Sequence, residues 1–565
     1  MKTKQNSLTK FCVGIVVLLS VWTPVAAQTV SFDVNIQDKI EPMKPVWAWF
    51  GYDEPNYTYM KDGKKLLTEL QDMSYAPVFV RTHNLLTTGD GTPALKWGST
   101  NAYTEDAKGN PIYNWVIVDS IVDTYIARGM KPLMEIGFMP KALSTKPEPY
   151  QHRWDPTVSY NEIYTGWTYP PNDYNKWREL VYQWVKHSVE RYGEDEVASW
   201  YWEVWNEPDI GYWSGTFEEY CKLYDYAADG LKKAFPRARI GGPHSTSPAY
   251  QRPYAYLKRF LEHITKGTNY ATGKIGSPLD YVGFHAKGSP RVMEGGYVRM
   301  NVGAQLMSVS KGFEIVASFP ELKHLPIIIG ESDPEGCAAC SVDHYPSNAY
   351  RNGTMFSSYT AASFARKYEL ARQHGVNFLG AVSWAFEFED QKWFAGFRDL
   401  ATNGVNKPVL NTFRMFGQMK GDLVSVKSSA PLSAEEMTQN SVRNDADINA
   451  IASSGSNEAA VMMWNYHDDD LPTSSANIRL SVKGLTAKRV LVTHYRVDKE
   501  YSNSYEVWKQ MGSPQNPTPE QYKTLERSGQ LEMYTSPEWA DVSNGEIVLG
   551  FELPRQGVSL VKVTW

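Results

Sequence analysis

Trp200-Tyr201-Trp202-Glu203-Val204-Trp205-Asn206-Glu207-Pro208-Asp209 is a run of aromatic and β-branched residues that stops at Asn-Glu-Pro. It reads as a short buried strand. Pro208 cannot donate to a ladder and biases Glu207 away from helix, so the strand ends there. A carboxylate is left at the strand's C-terminal tip among indole rings. Apolar surroundings disfavour its charged form, so its pKa is expected to rise toward the range of a general acid. A lone glutamate in such a place is ordinarily ion-paired or caps a helix. The ten residues together favour chemistry.

A second stretch answers the first. Leu325-Pro326-Ile327-Ile328-Ile329-Gly330-Glu331-Ser332-Asp333-Pro334 is another buried-strand pattern ending in a carboxylate and a turn. Two glutamates at two strand tips suit double-displacement cleavage of a glycosidic bond. One protonates the leaving oxygen while the other attacks the anomeric carbon, across a carboxyl separation of roughly 5–5.5 Å.

Around these stretches the chain alternates. Strand-like segments fall at 46–50, 77–81, 132–137, 200–206, 239–242, 281–285, 327–330 and 379–384. Helix-like segments follow at 64–73, 116–128, 174–192, 217–235, 254–266, 304–318, 359–374 and 409–419. Several of the helical segments stop at Gly129, Gly193, Pro236, Gly267, Pro320 or Gly375. Eight βα units predict an α/β fold, a (β/α)8 TIM barrel over residues 46–420, with both glutamates at its C-terminal mouth on strands four and seven. An open doubly wound sheet is the competing architecture, but the chain has no glycine-rich phosphate loop. Other strand tips carry Arg81-Thr82-His83-Asn84, His285-Ala286-Lys287-Gly288 and Trp384-Ala385-Phe386-Glu387. Each is weak alone. Converging on one mouth, they form a candidate sugar-binding rim.

Residues 421–565 change character. Segments at 424–427, 459–465, 477–483, 490–496, 546–551 and 558–563 alternate like strands between Asn, Asp, Gly and Pro clusters, predicting an antiparallel β-sandwich that supports the barrel. Residues 28–45 are expected to add a strand to it, and 511–520 to form a long loop. At the N-terminus, Lys2, Lys4 and Lys10 precede an apolar run and Val25-Ala26-Ala27, the pattern of a signal peptide (residues 1–27) and of a secreted or periplasmic protein. No other run approaches membrane-span length.

The 565 residues are 42% hydrophobic and carry a net charge of −6, which gives no electrostatic footprint for nucleic acid. The expected partner is an oligosaccharide. Aromatics at 13%, with 19 Trp and 35 Tyr, offer ring faces for sugars as well as core filling. Beyond Cys12 the cysteines are Cys221, Cys337 and Cys340. The close pair suits a local disulfide, or half a zinc site with His344, and no second half is present. No metal or cofactor is expected.

On these residues the chain resembles glycoside hydrolase family 39, within the large clan of retaining (β/α)8 glycosidases. Trp205-Asn206-Glu207-Pro208 matches the clan's acid/base motif and Glu331 its nucleophile. The resemblance implies that Asn206 binds the sugar's 2-hydroxyl and that Arg81 and His285 orient the catalytic groups. His83, Lys287, Asp333, Trp384 and Glu387 complete the expected substrate-binding set. The segments at 494–498 and 502–509 resemble the family's β-sandwich. Two branches mix here. Residues 279–288 and Glu331-Ser332-Asp333-Pro334 resemble α-L-iduronidases, in which the lysine matching Lys287 helps hold the sugar's carboxylate. Trp384-Ala385-Phe386-Glu387 and Phe394-Ala395-Gly396-Phe397 resemble β-xylosidases. The whole resembles secreted bacterial β-xylosidases, some with α-L-arabinosidase activity. An exo-acting β-D-xylosidase is therefore expected, with Lys287 paired to Asp333, Glu335 or Glu387. An iduronidase-like or arabinosidase-type enzyme and a non-catalytic sugar-binding barrel are the alternatives.

Overall fold

The computed structural model of the chain describes residues 29–52, 54–96, 98–151, 154 and 165–565. The leader expected over residues 1–27 lies outside them. Trp49–Tyr52, Phe79–Thr82, Lys131–Ile136, Tyr201–Val204, Arg239–Ser245, Tyr281–His285 and Pro326–Glu331 are seven consecutive parallel strands. The eighth comes in two pieces. Asn377–Ala381 pairs with strand seven, and Ser383–Trp384 pairs with strand one, closing the barrel. At the break, Val382 donates to the Ile329 carbonyl at 2.9 Å and accepts from the Ser332 N–H at 2.8 Å. Strand eight therefore stays tied to strand seven while its tip crosses to strand one.

Helices follow the strands at Lys61–Asp72, Val116–Ile126, Tyr174–Tyr192, Phe217–Ala234, Gln251–Lys266, Val302–Ala317, Thr354–His374 and Pro408–Gly417. Asp173 caps the third by accepting from two backbone N–H groups, and Gly375 ends the seventh in the left-handed conformation that suits glycine. Inside the barrel, large rings lie over glycines of neighbouring strands. A Cβ on Gly380 would come 2.4 Å from Trp49, one on Gly241 2.4 Å from Tyr281, and one on Gly283 2.2 Å from His244. Layers of side chains fill the interior in this way.

The second unit departs from a purely antiparallel sandwich. Its strands form one nine-stranded sheet in the order Glu532–Asp541, Arg489–Val497, Val558–Thr564, Glu458–Tyr466, Asp447–Gly455, Asp422–Ser428, Thr29–Pro42, Ala476–Lys483, Glu546–Leu553. Thr29–Pro42 pairs antiparallel with Asp422–Ser428 and parallel with Ala476–Lys483, which makes the sheet mixed. Val30, Phe32 and Val34 share one core with Leu480, Val482, Val461, Val490 and Val563, so strands far apart in the sheet order pack face to face. The N-terminal strand bulges between Val34 and Glu41, where the sheet can bend. Pro42 lies opposite Asp422, and the Met43 N–H donates to the Gly421 carbonyl at 2.9 Å, so the chain enters and leaves the barrel at one point. Among the described residues no helix is long and apolar enough to cross a membrane.

Candidate active site

Charged side chains rarely survive in mid-strand inside a barrel, yet three adjacent strands carry one each: Arg81, Glu135 and Glu203, all fully buried. They hold one another. Arg81 donates through Nε to both Glu203 oxygens at 2.9 and 3.0 Å, and through Nη2 to Asn206 Oδ1 at 2.9 Å. Its Nη1 lies 3.2 Å from Glu331 Oε1. One guanidinium thus ties strand two to the tips of strands four and seven in a planar fork that only arginine offers. His244 Nε2 stands 2.9 Å from the other side of Glu203, and His83 Nε2 is 3.3 Å from Glu135.

Above this floor the two expected carboxylates meet. An oxygen of Glu207 and one of Glu331 lie within 4.8 Å of each other and of His285. Lys287 Nζ bridges them, 2.8 Å from Glu207 Oε1 and 2.5 Å from Glu331 Oε2. His285 Nδ1 is 2.8 Å from Glu207 Oε1. Burial pushes the pKa of His285 down to about 4, so near neutral pH the ring is uncharged and Nδ1–H donates to the carboxylate.

The expected rise in the Glu207 pKa is not found. Burial does act upward, but the Lys287 ammonium and the His285 hydrogen bond overrule it and hold the carboxyl below its ordinary range. Glu331 sits well below that range, its burial outweighed by Lys287 foremost and by Arg81 behind it. Glu203 is likewise lowered against its burial by Arg81 and His244.

Trp384 walls the site. It is in register with Gly51, where a Cβ would come 2.2 Å from the indole, so strand one leaves the space the ring fills. His83 meets the indole edge-on at 5.6 Å, and the Arg81 and Arg398 guanidiniums stand 6.0 and 5.4 Å from its centroid. Arg81, His83, Asn206, Glu207, His285, Lys287, Glu331 and Trp384 are therefore linked in one network of contacts.

Asp333 joins this network through the backbone of Trp384, and Glu387 makes its contact elsewhere. Asp333 accepts from the Trp384 N–H at 3.2 Å and faces Arg398 at 3.6 Å, and burial pushes its pKa up to about 6. Glu387 is fully buried and accepts from the Gly404 N–H at 2.6 Å; burial raises it well above a normal carboxylate. Glu335 is held by Arg351 at 2.5 Å and Arg398 at 3.0 Å. None of these three is the partner of Lys287. Its actual partners are the catalytic candidates themselves, reached across the barrel mouth from strand six.

The sequence reading missed Glu135, Glu203 and His244. For the two glutamates the signal was a charge inside an otherwise buried strand. Among the described residues two clusters are tight enough to share one metal ion: His83 with Glu135 and Glu203, and Glu207 with His285 and Glu331. Arg81 and Lys287 already bring positive charge to each. Cys337 and Cys340 are bonded to each other, and His344 Nδ1 lies 3.2 Å from Ser341 Oγ, so the half zinc site does not form.

A (β/α)8 barrel with two carboxylates facing each other across its mouth defines the class of the glycoside hydrolases. The chain matches the model of Glycosyl hydrolases family 39 over residues 32–539 and belongs to that family. It is similar to a β-xylosidase of Geobacillus stearothermophilus, 27% identical over 81% of this chain and 82% of that one. It is also similar to an α-L-iduronidase of Mus musculus, 24% identical over 62% of this chain and 56% of that one. In fold it matches the structure of a bacterial orthologue of human α-L-iduronidase, with a TM-score of 0.75, 19% identity and coverage of 95% of this chain and 84% of that one.

Proposed function

We propose that the protein is a retaining exo-glycosidase that removes β-linked D-xylose from the non-reducing ends of oligosaccharides. In this reading Glu331 attacks the anomeric carbon and Glu207 protonates the leaving oxygen, then activates the water that releases the sugar. The close approach of the two carboxylates supports direct attack, because inversion needs roughly 6.5–9.5 Å to admit a water between them. Arg81 and Lys287 keep Glu331 ionised as a nucleophile. In the same reading His83, Asn206 and Trp384 contact the sugar.

The observation that carries the choice of a neutral sugar is the charge count around Lys287. Among the described residues four carboxylates, Glu135, Glu203, Glu207 and Glu331, surround two cations, Arg81 and Lys287, both already paired. Arg398 is engaged by Asp333 and Glu335. A substrate carboxylate entering here meets excess negative charge, and burying it unpaired costs several kcal/mol. The broad similarity to a β-xylosidase supports the same choice. The similarity to an α-L-iduronidase favours a second reading, in which Lys287 leaves the pair to hold a uronate.

A panel of aryl β-xyloside, α- and β-arabinosides, β-galactoside and α-L-iduronide tests this, with proton NMR of the first-formed anomer. The β-xyloside should be preferred and the product retained. Preference for the iduronide by about tenfold, roughly 1.4 kcal/mol, refutes the xylosidase choice. Glu207→Ala should keep activity on leaving groups that need no protonation and be rescued by azide, while Glu331→Ala should lose activity on all substrates. The reverse pattern exchanges the roles. The proposal includes export, and a mature chain starting at Gln28 on N-terminal sequencing is the expected result.

A further inference from the structure

Asp209 closes the strand-four motif and takes no part in the chemistry above. It is fully buried, and both its oxygens are engaged by one residue. Oδ1 accepts from the Thr246 N–H at 2.9 Å and Oδ2 from the Thr246 hydroxyl at 2.5 Å. Thr246 directly follows strand five, Arg239–Ser245. The same short segment makes two further ties. The Glu207 N–H donates to the His244 carbonyl at 3.1 Å, and the Lys287 N–H donates to Ser247 Oγ at 3.3 Å. The tip of strand five is thus a splint between the acid on strand four and the lysine on strand six.

The backbone shows why a splint is needed. Trp205, Glu207 and His244 have φ of 71°, 43° and 49°, left-handed values that residues other than glycine rarely adopt. Such conformations persist only where the surroundings over-determine them. For Glu207 the fixed points are the His244 carbonyl on its own N–H and, two residues on, the pair of hydrogen bonds that Thr246 donates to Asp209. A buried carboxylate that accepts both the N–H and the hydroxyl of one residue fixes a loop far more firmly than a single hydrogen bond.

We propose that Asp209, through Thr246, is a positioning residue that sets the angle from which Glu207 delivers its proton. The proposal rests on the assignment of Glu207 as the acid. It makes a claim that a purely structural role does not: weakening the clamp harms the steps in which Glu207 gives or takes a proton, and kcat/KM, which covers only the steps up to transfer of the sugar to Glu331, reads the first of them alone.

The test compares aryl β-xylosides of good (dinitrophenyl) and poor (phenyl) leaving groups in Asp209→Ala, Asp209→Asn and Thr246→Val. In Asp209→Ala, kcat/KM should fall about tenfold or more on the phenyl glycoside, part of the full worth of general acid catalysis, and stay near wild type on the dinitrophenyl one. Asp209→Asn should recover most of the loss, since its carbonyl accepts from the Thr246 N–H and its amide donates to the hydroxyl. Thr246→Val keeps the N–H bond and removes the hydroxyl, so it should show a smaller loss with the same leaving-group dependence. It also stands in should Asp209→Ala fail to fold. Equal losses on both glycosides, or no loss in either clamp variant, overturn the proposal. Glu207→Ala is the control. If it shows no leaving-group dependence, the acid assignment fails; if it does and the clamp variants do not, only the positioning role fails.

Discussion

Replacing Lys287 by methionine removes the ammonium that touches both carboxylates and keeps a side chain of similar length. At 2.8 and 2.5 Å and an effective dielectric near 20, the ion pairs to Glu207 and Glu331 are worth about 6 and about 7 kcal/mol of gross Coulomb energy. Most of that offsets the cost of burying the charges, and a proton taken up by one carboxylate relieves more. A net upward shift of the Glu207 pKa is the expected remainder. The sign follows from charge: a carboxylate that loses a cation favours its protonated form. The assay is the pH dependence of kcat/KM on phenyl β-xyloside for wild type and variant. The basic limb, set by a protonated acid, should move up with Glu207, and the acidic limb should rise with Glu331. Stability gives a second reading. Both groups titrate below their ordinary range in the folded wild type, so their contribution is present above about pH 4.3 and lost as pH falls through the folded values. K287M should lose stability near neutral pH and show a flatter decline on the acid side. Limbs that stay in place would refute the reasoning, because Lys287 would then not govern either carboxyl.

Three further outcomes are expected. Glu203→Gln weakens the hold on both Arg81 and His244, and unfolding experiments should show a loss of about 3–5 kcal/mol together with a fall in kcat. Gly51→Ala drives a methyl into the Trp384 indole, costing about 1–3 kcal/mol in thermal stability and raising KM for the xyloside. Cys337→Ser with Cys340→Ser opens a very short loop worth about 2 kcal/mol of denatured-state entropy. Arg351 still holds the Cys337 and Cys340 carbonyls, so activity should remain near wild type while the melting temperature drops.

Much of this was legible in the chain. The helix at Tyr174–Tyr192 appears at the expected residues because Asp173 and Gly193 mark both its ends. Residues 28–45 were expected to supply a strand, and Thr29–Pro42 is one. Glu532–Asp541 was missed because it is an edge strand with mostly exposed residues and a Pro537, so no buried face imposes alternation on it. Asp447–Gly455 was hidden by its Ala and Ser content behind a turn-rich run. The expected loop ends at Thr518, whose capping box starts the helix Pro519–Ser528. In the site, strand tips were readable and cross-barrel distances were not. Glu207 looked like a carboxyl among indoles, because the ammonium that dominates it comes from a strand about eighty residues later, and only closure of the barrel brings the two within 2.8 Å.

The ladder that joins Pro42 to Asp422 also sets a timetable. The chain emerges N-terminus first, and about 380 residues must follow Pro42 before its partner strand exists, a wait of roughly 20–75 s at 5–20 residues per second. Until then the first strand is an unpaired edge open to other chains, the condition under which sheets aggregate. Val30, Phe32, Val34 and Ile36 will later be buried, and they alternate with residues that include Asp33. Asp38, Lys39 and Glu41 then charge the far end of the strand. These charges are gatekeepers on a segment that must stay soluble while the barrel is made.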